Sequence, residues 1–282
     1  MISVLTELHV LRAHIGNWKR DGLRIAFVPT MGNLHAGHHS LVALARQRAD
    51  RVVASVFVNP TQFGPNEDFS RYPRTPEADA AGLDAAGCDA VWMPSVETMY
   101  PFGADAAVRM RVPGLTDVLD GAHRPGHFDG VTTVVARLFN QVQPDIAVFG
   151  KKDYQQLAVI RYFVRDLAFP VDIIAAETSR EADGLAMSSR NQYLSGQQRP
   201  IAPTIHRTLL QMRAGIVAGR SRHEVEDEAG RALQTAGLVP DYAVVRTSML
   251  GEPEEGAGGP LVALIAARLG NTRLIDNLEF TA

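Results

Sequence analysis

The chain has 282 residues, of which 46% are hydrophobic and 21% are charged, and its formal net charge is −3. These values are ordinary for a globular protein of one large or two modest domains, and they show no basic excess of the kind that binds nucleic acid. A single cysteine, Cys88, excludes a disulfide framework and a cysteine-cluster metal site. No apolar run approaches the roughly 20 residues that span a bilayer, and the N-terminus lacks a signal-peptide pattern. We therefore expect a cytoplasmic enzyme or binding protein with no membrane partner.

Short apolar runs alternate with helical stretches from the N-terminus to about residue 178. The first stretch is typical of a helix that packs Val4, Leu8, Leu11 and Ile15 inward. Strands are then predicted at 24–29, 52–58, 90–93, 145–150 and 171–176, and helices at about 38–49, 75–86 and 153–167. Several of these strands are apolar throughout, which favours a Rossmann-like parallel sheet with helices on both faces. Ligands in such folds bind beyond the carboxyl ends of the strands.

The pattern changes after about residue 178. A long polar loop (181–200) precedes predicted helices at about 202–218 and 221–236, and predicted strands follow at 241–247, 261–270 and 272–280. The segment GEPEEGAGGP (251–260) is typical of a turn or flexible connector. We expect an α/β fold with two domains: residues 1–178, and a smaller C-terminal α+β domain of residues 179–282.

Two histidines lie three residues apart where a helix is predicted to begin, in the stretch VPTMGNLHAGHHSLV (28–42). His35 and His38 share a helix face, and a helix N-terminus carries unpaired N–H groups and partial positive charge. With Gly32 and Gly37 clearing space, the pattern indicates a phosphate site. A tight turn with surface histidines is the alternative, and a metal site is a weaker one because no carboxylate lies nearby in sequence. His39 faces elsewhere and is interpreted as ordinary.

A second polar motif, MSSRN (187–191), follows the predicted sheet. The H-x-G-H pattern after a strand and a P-T-M-G turn resembles the HIGH motif of the nucleotidyltransferase superfamily, which includes class I aminoacyl-tRNA synthetases. That superfamily pairs the motif with K-M-S-K-S on a mobile loop, and MSSRN lies in the corresponding place. Its serines offer hydroxyls and Arg190 offers a permanent planar charge to phosphate. A solvated loop with a helix cap is the alternative interpretation.

Further blocks narrow the resemblance to one family. The blocks are FVNPTQFGPNEDFSRYPRT (57–75), RPGHFDGVTTVV (124–135), FGKKDYQQL (149–157), READGLAMSSRNQYL (180–194) and ARLGNTRLIDN (267–277). In this order and spacing they resemble the pantothenate synthetases, also called pantoate–β-alanine ligases, over nearly the whole chain. The resemblance implies that ATP and Mg²⁺ activate the pantoate carboxylate as pantoyl adenylate, with release of pyrophosphate. The amine of β-alanine then displaces AMP to form pantothenate, a step of vitamin B5 and coenzyme A biosynthesis.

The resemblance also implies residue roles. Catalytic residues would be His38, His35, Lys152 and Arg190, with Lys152 stabilising the departing pyrophosphate. ATP would contact Met31, Gly32, Asn33, Leu34, His35, Ala36, Gly37, His38, Gly150, Lys151, Lys152, Asp153, Ser179, Met187, Ser188, Ser189 and Arg190. In this set Asp153 and the Gly150 backbone would hold the ribose, and Met187 would pack near the base. Pantoate would contact Gln62, Gln156, Asn59 and Tyr72, and β-alanine would contact Gln62, Arg124 and His127. No protein side chain is assigned to a metal; Mg²⁺ would arrive with ATP.

Two matters stay open at the level of sequence. Family members often carry Glu or Gln where this sequence has Lys151, so Lys151 is either a phosphate contact or an exposed charge. A nucleotidylyltransferase that leaves AMP on its product shares H-x-G-H, and a non-catalytic nucleotide-binding regulator is a third hypothesis. An aminoacyl-tRNA synthetase is disfavoured because no basic patch or anticodon-binding extension is visible. The partners are small-molecule substrates, and the resemblance implies a homodimer.

Overall fold

The computed structural model of the chain describes residues 1–65, 67–254 and 258–282. Residues 255–257, within the predicted connector, lie outside this description. Contacts divide the rest into two units: Met1–Gly150 with Val159–Glu177, and Lys151–Ala158 with Thr178–Ala282. The second unit therefore contains the segment Lys151–Ala158, which the predicted boundary near 178 assigns to the first domain.

The first unit is built on a parallel sheet. Its strands are β1 (Ser3–Leu5), β2 (Ile25–Thr30), β3 (Arg51–Val56), β4 (Ala90–Trp92), β5 (Ile146–Gly150) and β6 (Asp172–Ala176). Its helices are α1 (Leu8–Arg20), α2 (Ala36–Arg46), α3 (Pro76–Ala85), α4 (Val96–Met99), α5 (Asp120–His123), α6 (His127–Val142) and most of α7 (Tyr154–Asp166). The strands pair in parallel in the order β1-β4-β3-β2-β5-β6. The predicted Rossmann-like sheet is confirmed.

Helices cover both faces of this sheet. Ala26 and Val28 of β2 pack in one core cluster with Val42 of α2. Phe27, between them, packs against Phe139 of α6, with ring centroids 6.4 Å apart. Because successive residues of a strand point to opposite faces, α2 and α6 lie on opposite sides of the sheet. Double coverage explains why the strands are apolar throughout.

One local expectation is wrong, and one helix has no counterpart among the predicted elements. Val4 lies in β1, not in a helix, and the residue is 53% exposed; Leu11 and Ile15 are buried in α1 as predicted. Helix α6 was not predicted, because β-branched residues at 131–135 lower its intrinsic helix propensity. Most of α6 is buried, so tertiary packing stabilises it against that local preference.

The order of strands in the first unit creates a topological switch point. β2 pairs with β3 on one side and with β5 on the other, and the chain visits β3 and β4 before it returns to β5. The carboxyl ends of β2 and β5 are therefore neighbours. The H-x-G-H segment follows β2 directly, and Gly150 ends β5. Ligands of doubly wound folds bind at such a point.

The second unit is the predicted smaller α+β domain. It contains α8 (Thr204–Val217), α9 (Arg222–Thr235), β7 (Val239–Thr247), β8 (Pro260–Leu269) and β9 (Thr272–Thr281). The strands form an antiparallel sheet in the order β7-β8-β9, and both helices pack on it through a shared apolar cluster. None of the helices in the described part of the chain is long and apolar enough to cross a membrane.

Candidate active site

The turn between β2 and α2 is fixed by a buried carboxylate. Gly32 and Asn33 have φ values of +84° and +51°, and a Cβ at Gly32 would lie 2.9 Å from Asp79 Oδ2. Asp79 of α3 is 2% exposed and accepts hydrogen bonds from Asn33 N at 3.0 Å and Leu34 N at 2.8 Å. Glycine at position 32 therefore meets both a backbone and a space requirement. Asp79 was not predicted as part of the site, since nothing local distinguishes it from other acidic residues of a first helical turn.

His35 and His38 cap the N-terminus of α2 reciprocally. His35 Nδ1 accepts from Gly37 N at 3.1 Å, and His38 Nδ1 accepts from His35 N at 3.3 Å. The ring centroids are 4.1 Å apart. A neutral imidazole that accepts at Nδ1 carries its proton on Nε2, so the cap sets the tautomer of both rings. Each ring thus presents an Nε2–H donor at a positive helix end.

His39 has a packing role. Its ring lies against Gly82 of α3, where a Cβ would approach His39 Nε2 to 2.7 Å. The glycine allows α3 to pack closely beside the start of α2. This contact agrees with the interpretation that His39 does not share the role of the other two histidines.

Asn59 and Gln62 form a buried amide pair next to Met31. Asn59 is 1% exposed, and its Oδ1 accepts from Thr61 N at 3.3 Å and from the Tyr100 hydroxyl at 2.6 Å. Asn59 Nδ2 donates to Gln62 Oε1 at 3.0 Å, and Gln62 Nε2 donates to Met31 Sδ at 3.1 Å. Since Oε1 of Gln62 is the acceptor here, its NH₂ group faces the β2–α2 turn. Burial raises the pKa of Tyr100, which keeps this hydroxyl protonated as a donor.

Helix α6 lies in very close contact with the segment that carries this amide pair. Asn59 Nδ2 also donates to Gly130 O at 3.2 Å, so both of its N–H groups are used within the protein. A Cβ at Gly130 would overlap the carbonyl oxygen of Thr61. Asn59 therefore orients Gln62 through one of its two N–H groups. Its contact with pantoate stays a prediction. Tyr72 is 6% exposed and packs against Phe63, with centroids 5.9 Å apart.

A chain of polar side chains supports Gln62 from the other side. Arg124 donates from Nε to Glu67 Oε1 at 2.6 Å and from Nη2 to Glu67 Oε2 at 2.7 Å. Arg124 Nη1 donates to His127 Nε2 at 2.9 Å, and His127 Nδ1 donates to Gln62 O at 2.7 Å. Arg124 and His127 were expected to contact β-alanine; here both ring nitrogens of His127 are occupied by protein groups. The two side chains support the Gln62 backbone, and their contact with β-alanine stays a prediction.

Burial and charge fix the protonation states in this chain. Burial, followed by the positive charge of Arg124, lowers the pKa of His127 to about 4. Burial alone would raise the pKa of Glu67, but its hydrogen bonds and ion pair with Arg124 outweigh that effect and lower the pKa to about 2. At neutral pH His127 is neutral, Glu67 is ionised and Arg124 is charged. Glu67, which no local sequence pattern identifies, thus neutralises the guanidinium.

In the second unit, the predicted phosphate-binding lysines lie in a 3-10 turn, Lys151–Asp153, that leads into α7. Lys151 Nζ forms an ion pair with Glu279 Oε2 at 2.6 Å. Lys152 is 20% exposed at its side chain, and its Nζ lies 3.8 Å from Asp153 Oδ2. The sequence left Lys151 open between a phosphate contact and an exposed charge; it is a paired residue of the second unit. Gln156 follows one turn later, half-buried in α7.

The segment with MSSRN is ordered by local hydrogen bonds. Met187 N donates to Ser179 O at 2.9 Å, and Ser188 Oγ caps the 3-10 turn Ser189–Tyr193 by accepting from Arg190 N at 3.2 Å. Asn191 Nδ2 donates to Ala186 O at 3.1 Å. The predicted long polar loop is therefore built from turns. Within the second unit these contacts bring Ser179 and Met187 together.

No group of three or more histidine, cysteine or acidic residues suited to a metal ion occurs in the ranges 1–65, 67–254 and 258–282. In those ranges the first unit presents His35, His38, Met31 and Gln62 beside the switch point. The second unit presents Lys152, Asp153, Gln156 and the segment 187–190. The two sets offer imidazole, amide, ammonium and hydroxyl donors, which suit phosphate and carboxylate ligands.

Comparison with known proteins identifies the family. The model of the pantoate-beta-alanine ligase family matches residues 3–279. The chain belongs to this family. The pantothenate synthetase of Stenotrophomonas maltophilia (strain K279a) is 69% identical over 280 residues, covering 99% of this ligase and 100% of the relative. The crystal structure of pantothenate synthetase from Thermus thermophilus has a TM-score of 0.91 and 47% identity, covering 98% of this chain and 99% of that one.

A third comparison concerns a ligand complex. The pantoate-beta-alanine ligase of Francisella tularensis, crystallised with beta-gamma ATP and beta-alanine, has a TM-score of 0.82 and 30% identity, covering 99% of this chain and 97% of that one. The family match extends through the second unit, which decides against the nucleotidylyltransferase hypothesis. This ligase catalyses the ATP-dependent condensation of pantoate with β-alanine.

Proposed function

We propose that the ligase makes pantothenate through a pantoyl-adenylate intermediate, with phosphate contacts from the His35–His38 pair. The observation that carries the proposal is the reciprocal cap at the switch point, which turns both Nε2 atoms into N–H donors. A carboxylate is a poor electrophile, and adenylation supplies a good leaving group. Catalysis then depends on hydrogen-bond donors fixed at the place where charge develops on the phosphate. A general acid–base pair is less important for this reaction.

The pantoate assignment rests on Gln62 and Gln156. The NH₂ group of Gln62 is turned away from Asn59, toward Met31, so Gln62 would donate to the pantoate carboxylate or a hydroxyl. A neutral amide orients the carboxylate without the strong ionic pairing that would weaken its oxygen as a nucleophile. Asn59 and Tyr72 would complete the pocket by holding Gln62 and the aromatic wall in place. β-alanine would meet Gln62, with Arg124 and His127 supporting it.

Apart from Gly150, the remaining ATP assignments belong to the second unit. Lys152 would act as a point charge on the phosphates and stabilise departing pyrophosphate, while Asp153 would hold the ribose hydroxyls. Ser188, Ser189 and Arg190 would donate to the triphosphate. Lys151, by contrast, is paired with Glu279, so its backbone is the better candidate for a nucleotide contact.

Mg²⁺ would accompany ATP and neutralise part of its charge. Mg²⁺ bound with a nucleotide is held largely by phosphate oxygens and water. The family resemblance also supports a homodimer, and the single buried cysteine suits a cytoplasmic location.

The test is pantoate-dependent ATP–pyrophosphate exchange, followed by AMP release on addition of β-alanine. His38→Ala and Lys152→Ala should each slow exchange by about 10²–10³-fold, because each removes a group that stabilises charge in the transition state. His39→Ala is the matched control: an imidazole is removed at the same helix start, and exchange should stay near normal. Near-normal exchange in His38→Ala or Lys152→Ala would contradict these assignments. AMP retained on the product would contradict the adenylate route.

A further inference from the structure

Asp276 and Asn277 in β9 are polar residues inside an apolar sheet. They are 4% and 5% exposed. Side chains buried to this degree need hydrogen-bond partners, and the identity of the partners indicates what the residues do. The partners of Asn277 belong to the 3-10 turn that carries Lys152.

Asn277 holds the backbone of that turn through two bonds. Its Nδ2 donates to Lys151 O at 2.8 Å and to Lys152 O at 2.8 Å. Both N–H groups of the amide are used, on consecutive carbonyl groups. Since the second carbonyl belongs to Lys152 itself, these bonds fix the main chain from which its side chain leaves.

A second side chain on the same face of β9 contacts the turn. Glu279, two residues on and therefore on the same face of the strand, accepts from Lys151 Nζ at 2.6 Å and from the Tyr154 hydroxyl at 3.1 Å. Contacts of β9 with this turn explain why the Lys151–Ala158 segment belongs to the second unit.

Asp276, which points to the opposite face, anchors the strand. Its carboxylate accepts from Arg180 Nη1 at 2.6 Å and from Arg180 Nη2 at 3.0 Å, and Oδ1 also accepts from Asn277 N at 2.8 Å. A buried, bidentate ion pair of this kind fixes geometry strongly. The backbone N–H of Asn277 is thereby held from the face of the strand opposite to the lysines.

We propose that Asn277 is a positioning residue for Lys152, which it sets at the phosphates of ATP by holding the two carbonyl groups of the turn. This inference rests on the proposed function, because Lys152 contacts ATP only under that assignment. Asn277 itself would touch neither ATP nor pantoate. Displacements of about 1 Å at a catalytic group can cost up to about 10²-fold in rate, so loss of both bonds should be visible in kinetics.

The test is a double-mutant cycle of Asn277→Ala and Lys152→Ala, measured by pantoate-dependent ATP–pyrophosphate exchange. Asn277→Ala should lower kcat/KM for ATP by about 10–100-fold and leave KM for pantoate unchanged. If Asn277 acts through Lys152, the double variant should be no worse than Lys152→Ala alone. Asn277→Asp, nearly the same size but with a carboxylate oxygen facing the two carbonyls, should be at least as impaired as Asn277→Ala.

Asp241→Asn serves as the control for general destabilisation of the sheet. Asp241 of β7 accepts from Arg273 Nε of β9 at 2.7 Å, in a half-buried ion pair outside the lysine turn. This variant should lower the thermal unfolding temperature but keep kcat/KM for ATP. An Asn277→Ala variant no slower than Asp241→Asn, or a double variant whose losses multiply, would overturn the inference while leaving the role of Lys152 intact. Normal exchange in Lys152→Ala would overturn the proposed role of Lys152 and the inference with it.

Discussion

Lowering the pH from 7 to 5 tests whether His127 is held neutral inside the Glu67–Arg124–His127 chain. The pKa of His127 is about 4 in the folded chain, against 6.5 for an unperturbed histidine. Between these values the unfolded chain binds a proton that the folded chain does not. Stability is therefore lost as the pH falls from about 6.5 to about 4, and the linkage relation gives a loss of about 2 kcal/mol between pH 7 and pH 5.

The perturbation is His127→Gln, and the assay is urea unfolding at both pH values. A glutamine can donate to Gln62 O and accept from Arg124, but it does not titrate. Wild type should therefore lose about 2 kcal/mol more than the variant between pH 7 and pH 5. The comparison cancels other groups that titrate in this range, such as His206, whose pKa is also lowered by burial.

Equal losses in the two proteins would refute the reasoning. A direct readout is the ¹⁵N spectrum of the His127 ring. Donation to Gln62 O and acceptance from Arg124 require the Nδ1–H tautomer at neutral pH and at pH 5. An imidazolium signal at pH 5 would be incompatible with the pKa of about 4.

Two further outcomes follow from buried groups near the sheet. Asp79→Asn replaces one acceptor oxygen by an NH₂ group that faces a backbone N–H of Asn33 or Leu34. The free energy of unfolding in urea should fall by about 1–3 kcal/mol, and KM for ATP should rise. An unchanged KM would show that Asp79 does not support the nucleotide turn. Burial raises the pKa of Cys88 to about 12, so the native thiol should not react with a disulfide reagent at pH 8. The chain unfolded in urea should react fully. Equal reaction rates in the two states would contradict the burial of the thiol.

The sequence predicts what local patterns encode. Apolar runs predict the strands, and the H-x-G-H spacing places two histidines on one face at a helix start, where the structure has them. Helix α6 was missed because its middle is rich in β-branched residues, while burial against the sheet decides its conformation. Thr132 Oγ1 donates to Phe128 O within that helix at 2.8 Å, a bond that lets threonine satisfy its hydroxyl when buried there.

The residues that hold the site residues in place could not be predicted from the sequence, and the reason is the same for each. Asp79 binds backbone about 45 residues away, Glu67 binds Arg124 across 57 residues, and Asn277 binds Lys152 across 125 residues. Periodicity and short motifs carry no information on such pairs. A resemblance to a family transfers residues that contact substrates, and it gives no information on the groups that hold those residues in place, such as Glu67 behind Arg124.

Lys151 and Asn277 hold the lysine turn in different ways. The Lys151–Glu279 pair is partly exposed, and ion pairs of this kind contribute at most about 1 kcal/mol. Asn277 instead binds the carbonyl groups of Lys151 and Lys152, which every residue type at position 151 would provide. The backbone of the turn, and with it the origin of the Lys152 side chain, is therefore held independently of what stands at position 151.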